Sequence, residues 1–358
     1  MSDRADRLVG LLTSDDLDLL LITALVNVRY MTGYTGTNGL ALVGPQTRVF
    51  VTDFRYVEQA KVEVQSSYER RRDQLELFGA IAGSIPASGE LRLGFDDTNV
   101  TVRQHARLRE VLPERVQLVP AGGLVEQLRA VKEPDEIDRI RRAATAADYG
   151  LAQVLEQGLL GRTERELADA LEQAMRDSGA DRPGFELIIA AGPHGALPHA
   201  KPRDVEVKPS DMVVIDWGAE VDGYRSDCTR TIAAGEPSDE AREIYELVLE
   251  AERAGLGAVR SGAGGREVDA TARAVIQAGG QGDHFGHGLG HGVGIDIHEA
   301  PRLSMLSEDV LTSGNVVTVE PGIYLAGRFG VRIEDLVVVG EDGCDVLTSL
   351  DKGLTVAG

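Results

Sequence analysis

Residues 212–230 read MVVIDWGAEVDGYRSDCTR, an apolar run that ends on an acidic residue and is followed by a turn signal. The dipeptide Asp222-Gly223 is the strongest short-range signal for a two-residue hairpin turn. Such a turn pairs Asp216 with Thr229 and makes Asp227 the diagonal neighbour of Asp216. Opposite and diagonal residues share one face of a hairpin, with Cβ atoms roughly 7–8 Å apart or closer. The sequence therefore predicts two carboxylates that point the same way.

A second apolar run, residues 316–319, also ends on an acidic residue, Glu320, directly before a proline. Glu334 follows within the segment GVRIEDL. Glu334 lies 14 positions after Glu320, an even separation, so a loop of odd length puts both side chains on one face. Residues 326–330 are the predicted loop. Because Pro321 ends the ladder, this strand end suits the lining of a cavity.

Histidines alternate with glycines in residues 286–294, GHGLGHGVG. So many glycines exclude a helix, and no glutamate follows His287, so the segment is not a zinc-binding HExxH helix. It is also a weak phosphate cradle, because the Lys-Ser/Thr of such loops is missing. Glycines here let the backbone approach a buried site closely. His287, His291 and His298 are therefore candidate site residues.

Four carboxylates and an imidazole form an oxygen-rich donor set. Mn²⁺, Co²⁺ and Fe²⁺ prefer such ligands, and Zn²⁺ accepts them, whereas structural zinc sites use thiolates. Four negative charges call for two divalent ions, roughly 3.5–4 Å apart. Two such ions supply hydroxide near neutral pH and polarise a carbonyl, so the pattern indicates metal-assisted hydrolysis. For the two aspartates alone, separate pairing with Arg225 or Arg230 is an alternative.

The chain has 358 residues and a formal net charge of −21 at pH 7. This charge excludes nucleic acid and anionic membranes as expected partners, because phosphate groups would be repelled. The two cysteines are too few for a disulfide framework or a Cys-rich zinc site, and they fit a reducing, cytoplasmic location. The N-terminus lacks the apolar region of a signal peptide, and the longest apolar stretch is about half a membrane span.

The negative charge is concentrated in the C-terminal part of the chain. Residues 1–130 carry fifteen basic and seventeen acidic side chains, whereas residues 131–358 carry twenty-two and forty-one. Six of the seven histidines also lie in the second part. Most of these acids belong to a solvated surface, but clustered acids and histidines are also typical of a metal-binding domain.

Helix and strand signals divide the chain into two expected domains, residues 1–125 and 126–358. Strands that alternate with helices in the first predict a smaller α/β domain. In the second, a proline helix start at Pro134 and a capping box at Thr163 precede helices expected at 239–258 and 266–278. Because the intervening strands form mostly antiparallel hairpins, this domain is expected to be α+β.

Taken together, these motifs resemble the pita-bread metallopeptidases of family M24, and GHGLGH and VEPGIY resemble its Xaa-Pro branch, aminopeptidase P and prolidase. The resemblance implies a C-terminal pita-bread (creatinase/aminopeptidase) fold preceded by a creatinase/prolidase-like N-terminal domain. It also implies the ligand roles. Asp216 would bind one metal ion, Asp227 and Glu334 would bridge two, and His291 and Glu320 would hold the second.

The resemblance further implies catalytic and substrate-binding residues. Glu320 would accept the proton of the attacking water, His298 would stabilise the tetrahedral intermediate or pass a proton, and His199 would contact the substrate. His287 would line the pocket for the proline ring. Tyr324 and Arg332 would lie near the metals, with Arg332 able to bind a peptide carboxylate.

The implied activity is that of a dinuclear Xaa-Pro peptidase, with Mn²⁺ as the first expectation and Co²⁺, Zn²⁺ or Fe²⁺ as alternatives. A metal-bridging hydroxide would hydrolyse the bond before a proline at position two of small peptides. The first interpretation is an aminopeptidase P-like enzyme, and the alternative is a dipeptidase (prolidase) restricted to dipeptides. A non-catalytic or creatinase-like protein is remoter, because this chain keeps all five ligands. A homodimer is also implied, in which residues 34–39 of a partner could close the pocket.

Overall fold

The computed structural model describes residues 3–73 and 76–358. The chain divides into two compact units, residues 1–129 and 130–358. The boundary expected from the sequence, between residues 125 and 126, lies within the helix Leu124–Ala130. Within the described ranges, no helix is both long enough and apolar enough to cross a membrane.

A mixed sheet with flanking helices forms the N-terminal unit. Its strands are β1 (Leu19–Ile22), β2 (Gly39–Gly44), β3 (Thr47–Thr52), β4 (Glu69–Arg72), β5 (Leu91–Phe95) and β6 (Val116–Pro120), in the order β4-β3-β2-β1-β5-β6. Its helices are α1 (Arg4–Ser14), α2 (Leu25–Thr32), α3 (Val57–Glu63), α4 (Leu77–Ala82), α5 (Val102–Val111) and α6 (Leu124–Ala130). Apolar side chains such as Leu21, Leu42 and Leu93 are fully buried in its core. The predicted α/β layer is confirmed.

Two pairs of helices cover the C-terminal unit: α7 (Pro134–Glu156), α8 (Glu164–Asp177), α9 (Asp239–Ala258) and α10 (Gly265–Ala278). Helix α8 begins at the expected capping box, in which the backbone N–H of Glu166 donates to the Thr163 hydroxyl. The Ser238 hydroxyl accepts in the same way from the N–H of Ala241 at the start of α9. Helix α9 has the predicted bounds, and α10 starts one residue before its predicted position.

Antiparallel strands form the rest of this unit. The strands are β7 (Arg182–Pro183), β8 (Ile188–Ala191), β9 (Asp211–Trp217), β10 (Ala219–Val221), β11 (Tyr224–Arg225), β12 (Cys228–Ala234), β13 (Gly290–Gly292), β14 (Glu299–Leu303), β15 (Val316–Val319), β16 (Gly322–Leu325), β17 (Phe329–Arg332), β18 (Asp335–Val339) and β19 (Cys344–Val346). They form sheets with the orders β12-β9-β8, β11-β10-β7, β14-β13-β15-β18-β19 and β16-β17.

Each helix pair buries its apolar side against strands that carry candidate ligands. Helices α7 and α8 share a core with β9 and β12, which includes the fully buried Ile215 and Trp217. Helices α9 and α10 share a second core with β15 and β18, which includes Val317 and Val337. The α+β class expected for this part of the chain is therefore confirmed. The acidic residues lie where the packed strands end.

Candidate metal centre

The first acidic pair lies on the hairpin that the sequence predicted. Asp216 is paired with Thr229, and Glu220 with Arg225, which is the register expected for a turn at residues 222–223. Asp222 and Gly223 both have positive φ angles, 50° and 79°, as a type I′ turn requires. Asp216 and Asp227 both line the same cavity.

The second acidic pair lies at the ends of β15 and β18. Val319 and Asp335 are the last pair of this ladder. In the same register, Glu320 and Glu334 lie opposite each other one residue beyond it. Strands β16 and β17 form the connecting hairpin, with a turn at residues 326–328 between the paired Leu325 and Phe329. The turn is odd in length, as predicted, but it is two residues shorter than the expected loop at 326–330.

A backbone bridge between Thr229 and Glu334 is one of the contacts that join the two hairpins. The backbone N–H of Glu334 donates to the carbonyl oxygen of Thr229 at 3.0 Å. The Thr229 hydroxyl donates in turn to Oε2 of Glu334 at 2.7 Å. Because Thr229 is also the partner of Asp216, this contact brings the two acidic pairs together.

His291 enters the acidic cluster from β13. Its Nδ1 lies 3.0 Å from the carbonyl oxygen of Gly292, which can only accept, so Nδ1 carries the proton and Nε2 presents a lone pair. Nε2 lies 3.6 Å from Oδ2 of Asp227 and 3.5 Å from Oε1 of Glu320. The strand can approach this closely because residue 290 is glycine, where a Cβ would lie 2.0 Å from the carbonyl oxygen of Thr318.

The electrostatics of this cluster fit a bound cation. Burial, followed by the charges of neighbouring carboxylates, raises the pKa of both Asp227 and Glu334 well above the usual range. Burial raises the pKa of Glu320 to about 8 and lowers that of His291 to about 3. A neutral imidazole lone pair and several carboxylates therefore converge with no positive charge between them. Asp227, His291 and Glu334 each offer one atom within 4.8 Å of the others, a group that could hold a metal ion.

Asp216 is held against this cluster by Arg332. The guanidinium donates to Oδ2 of Asp216 at 2.6 Å and to the Thr229 hydroxyl at 2.9 Å. It also donates to the Tyr324 hydroxyl at 2.9 Å and to the Pro198 carbonyl at 3.2 Å. The other oxygen of Asp216, Oδ1, is buried without a hydrogen-bond partner, as expected for an atom that faces a metal ion.

Tyr324 connects Arg332 to His287. His287 Nδ1 lies 2.7 Å from the carbonyl oxygen of Gly288, so it is the donor nitrogen, and Nε2 accepts from the Tyr324 hydroxyl at 3.0 Å. Burial lowers the pKa of His287 to about 4, which keeps the ring neutral. Both nitrogens of His287 are thus used within the protein, and the ring offers its apolar surface.

The predicted residues, apart from Tyr324, line one cavity of about 530 Å³, namely His199, Asp216, Asp227, His287, His291, His298, Glu320, Arg332 and Glu334. Tyr324 lies behind it, against His287 and Arg332. The ring of His298 packs edge-on against that of His291, with centroids 4.4 Å apart. His199 and His298 are exposed to the cavity.

Sequence reasoning did not identify Arg302, an exposed side chain that lines the same cavity. Among the described residues, its guanidinium has no hydrogen-bond or ion-pair partner, and its backbone N–H donates to the carboxylate of Asp309. The other cavity cations are occupied, since Lys201 pairs with Glu186 at 2.8 Å and Arg332 is bonded as above. Arg302 is the strand partner of His291, a register that the glycine-rich segment gave no means to predict.

Comparison with known proteins agrees with this geometry. Residues 138–341 match the model of metallopeptidase family M24, and residues 4–131 match the creatinase/prolidase N-terminal domain. The Xaa-Pro dipeptidase of Pyrococcus furiosus is 35% identical over 356 residues, which cover 99% of this chain and 100% of that protein.

Solved structures are equally similar. The Xaa-Pro dipeptidase from Bacillus anthracis superposes with a TM-score of 0.95 and 39% identity, over 99% of both chains. The X-Pro aminopeptidase from Thermotoga maritima MSB8 superposes with a TM-score of 0.91 and 35% identity, over 99% of this chain and 100% of that one. With its C-terminal pita-bread domain and creatinase/prolidase-type N-terminal domain, the chain belongs to metallopeptidase family M24.

Proposed function

We propose that this protein is a dinuclear metal-dependent Xaa-Pro dipeptidase. The observation that carries the proposal is an unpaired guanidinium, that of Arg302, in the same cavity as the acidic cluster. A dipeptide has its carboxylate one residue from the scissile bond, where a longer peptide continues as an amide. A cation without a protein partner suits the first kind of substrate. The dipeptidase names of two similar proteins support the same choice over the aminopeptidase P-like activity that the sequence first suggested.

The five ligand residues divide between two ions in this proposal. Asp216 would hold one ion, His291 and Glu320 would hold the second, and Asp227 and Glu334 would be shared by both. Two divalent ions balance the four carboxylates, and Mn²⁺ is the expected metal because the donor set is rich in oxygen. When bound, such ions lower the pKa of a water molecule and polarise the substrate carbonyl.

The residues around the ligands handle the proton and the substrate. Glu320, when ionised, would accept the proton of the attacking water, and burial strengthens its hold on that proton by raising its pKa to about 8. His298 passes a proton to the imide nitrogen of proline, and its position beside His291 keeps it close to the reacting bond. His199, which lines the same cavity, contacts the substrate. The proline ring packs on the apolar surface of His287.

The substrate carboxylate binds Arg302 in this scheme rather than Arg332. Four hydrogen bonds already use the guanidinium of Arg332, and one of them holds Asp216. Arg332 is therefore a positioning residue for a metal ligand. A bidentate pair between a carboxylate and the free Arg302 costs no existing bond.

Hydrolysis of Ala-Pro and of Ala-Pro-amide by Mn²⁺-loaded protein tests this assignment. We expect kcat/KM to be about 100-fold higher for the dipeptide, because only it offers the charge. Arg302→Met should lower kcat/KM for Ala-Pro by about 10- to 100-fold and leave Ala-Pro-amide nearly unchanged. Lys201→Met, at the cavity cation that already has a partner, is the matched control and should leave both rates unchanged.

A peptidase that cleaves Ala-Pro-Ala as well as Ala-Pro would be an Xaa-Pro aminopeptidase instead. The similarity to the X-Pro aminopeptidase of Thermotoga maritima makes this the second candidate. Equal losses on dipeptide and amide in Arg302→Met would likewise rule out the carboxylate contact. Absence of hydrolysis with Mn²⁺, Co²⁺ or Zn²⁺ would rule out both enzymes.

A further inference from the structure

One ion pair of the C-terminal unit is almost completely hidden from water. Lys132 Nζ lies 3.1 Å from Oε2 of Glu299, and the two side chains are 1% and 5% exposed. Removing two charges from water is costly, and apolar residues of similar volume often stabilise a core at least as well. Stability alone therefore does not account for a lysine and a glutamate at these positions.

Glu299 shapes the loop that carries His298. Its second carboxylate oxygen, Oε1, accepts from the backbone N–H of Asp296 at 3.0 Å, which closes residues 296–299 into a turn. Gly294 packs against the same carboxylate so closely that a Cβ at this position would lie 2.6 Å from Oε2. The carboxylate thus fills the inside of the loop that connects His291 to His298.

Lys132 is anchored to a different part of the unit. Its backbone N–H donates to the carbonyl oxygen of Gly314 at 2.9 Å, and the preceding Val131 forms a bridge with Asn315. Asn315 immediately precedes β15, the strand that leads to Glu320. Lys132 therefore connects the start of β15, the strand that leads to Glu320, to the turn of residues 296–299 that contains His298.

We propose that the Lys132–Glu299 pair is a positioning device for His298. It fixes residues 294–299 so that the His298 ring stands edge-on to His291. Neither residue lines the cavity, so the pair acts through His298 and not on the substrate. The inference rests on the proposed function, in which His298 passes the proton to the leaving nitrogen.

A double-mutant cycle on the metal-loaded, full-length protein tests this proposal. The variant Lys132→Met/Glu299→Gln removes both charges and leaves an amide oxygen that can still accept from Asp296, so it should fold. We expect its kcat on Ala-Pro to fall about tenfold, with KM and bound metal nearly unchanged. In a His298→Ala background the same two changes should lower kcat by less than about twofold, because their effect passes through His298.

The matched control is the exposed pair Lys61–Glu58, which lies outside the cavity, changed to Lys61→Met/Glu58→Gln. Its effect, if any, should multiply with that of His298→Ala, as for independent sites. The proposal would be overturned if the loss of kcat in Lys132→Met/Glu299→Gln multiplied with the loss in His298→Ala. It would also be overturned if Lys132→Met/Glu299→Gln left kcat unchanged.

A second measurement does not depend on activity. In proton–carbon spectra of the chelator-treated protein with labelled histidines, the His298 ring signal is assigned by its loss in His298→Ala. In Lys132→Met/Glu299→Gln we expect this signal to move towards the position of a histidine without a ring contact, because the His298 ring is no longer held edge-on to His291. An unmoved His298 signal would contradict the positioning role, whereas a wild-type protein with no Xaa-Pro hydrolysis would contradict only the proposed function.

Discussion

The Thr229 hydroxyl donates to Oε2 of Glu334 at 2.7 Å and accepts from Nε of Arg332 at 2.9 Å. This one hydroxyl thereby orients a candidate bridging ligand and the guanidinium that holds Asp216. Hydrogen bonds of this kind, which orient metal ligands, typically contribute 10- to 100-fold to metal affinity.

Thr229→Val should therefore weaken metal binding by about 10- to 100-fold while the fold is kept, since valine has nearly the same shape. Titration calorimetry with Mn²⁺ measures the effect. Thr231→Val, on the same strand as Thr229, is the control. Among the described residues, the Thr231 hydroxyl bonds only the backbone N–H and carbonyl of Arg332. Equal affinities of the two variants would contradict this role of Thr229.

Asp227→Asn should have opposite effects on the metal-free and metal-loaded proteins. In the metal-free state, burial and the charges of neighbouring carboxylates raise the pKa of Asp227, so its ionised form is disfavoured there. A neutral amide at this position should therefore stabilise the fold, by about 1–2 kcal/mol. With Mn²⁺ present, the wild type gains stability from binding and the variant gains much less. Thermal unfolding with chelator and with metal should show this crossover, together with loss of turnover. A variant that keeps most of its activity would show that Asp227 is not a bridging ligand.

The metal-free protein should lose stability as the pH rises from about 5 to 8. The folded-state pKa of Glu320 is about 8, above its ordinary value, so the folded chain holds a proton that the unfolded chain releases. This contribution is complete below the unfolded pKa and is lost as the pH rises through the folded one. Urea unfolding at several pH values should show that the free energy of unfolding falls less with pH in Glu320→Gln than in the wild type. An equal dependence on pH in the two proteins would mean that Glu320 is ionised in the metal-free fold.

Tyr324→Phe should impair substrate binding more than metal binding. The change removes the donor to His287 Nε2 and one acceptor of Arg332, so the His287 ring is held less firmly. We expect KM for Ala-Pro to rise about five- to tenfold, with unchanged metal content. Tyr245→Phe is the control, because the hydroxyl of Tyr245 is also a hydrogen-bond donor, to the carbonyl oxygen of Lys352, but lies away from the cavity. Metal loss in Tyr324→Phe would place its effect on Asp216 instead.

Local rules predicted a large part of the fold. The type I′ turn at residues 222–223 sets every pair of its hairpin, because a two-residue loop fixes the register. The capping box at Thr163 marked the start of α8 for a similarly local reason. Residues 331–339, by contrast, are divided between β17 and β18, since the chain leaves one sheet for another near Ile333. Which sheet a strand joins depends on tertiary packing and has no local signal.

The candidate site was predictable where residue type limits the chemistry. Carboxylates that end buried strands, and a histidine among glycines, were predicted as ligands because such groups are costly to bury without a partner. It could not be predicted in this way that the guanidinium of Arg332 is hydrogen-bonded within the protein, whereas that of Arg302 has no partner among the described residues. Both are arginines near the same cavity, and only the hydrogen bonds of the folded chain distinguish them.

The bridge between Thr229 and Glu334 spans 105 residues of sequence. Contacts of such separation form late in folding, because the chain between them must be ordered before they are gained. A half-folded chain can therefore present either acidic hairpin, but it cannot present both in register. Peptidase activity would then require the completely folded protein, so that neither a nascent chain nor a damaged one could cleave peptides.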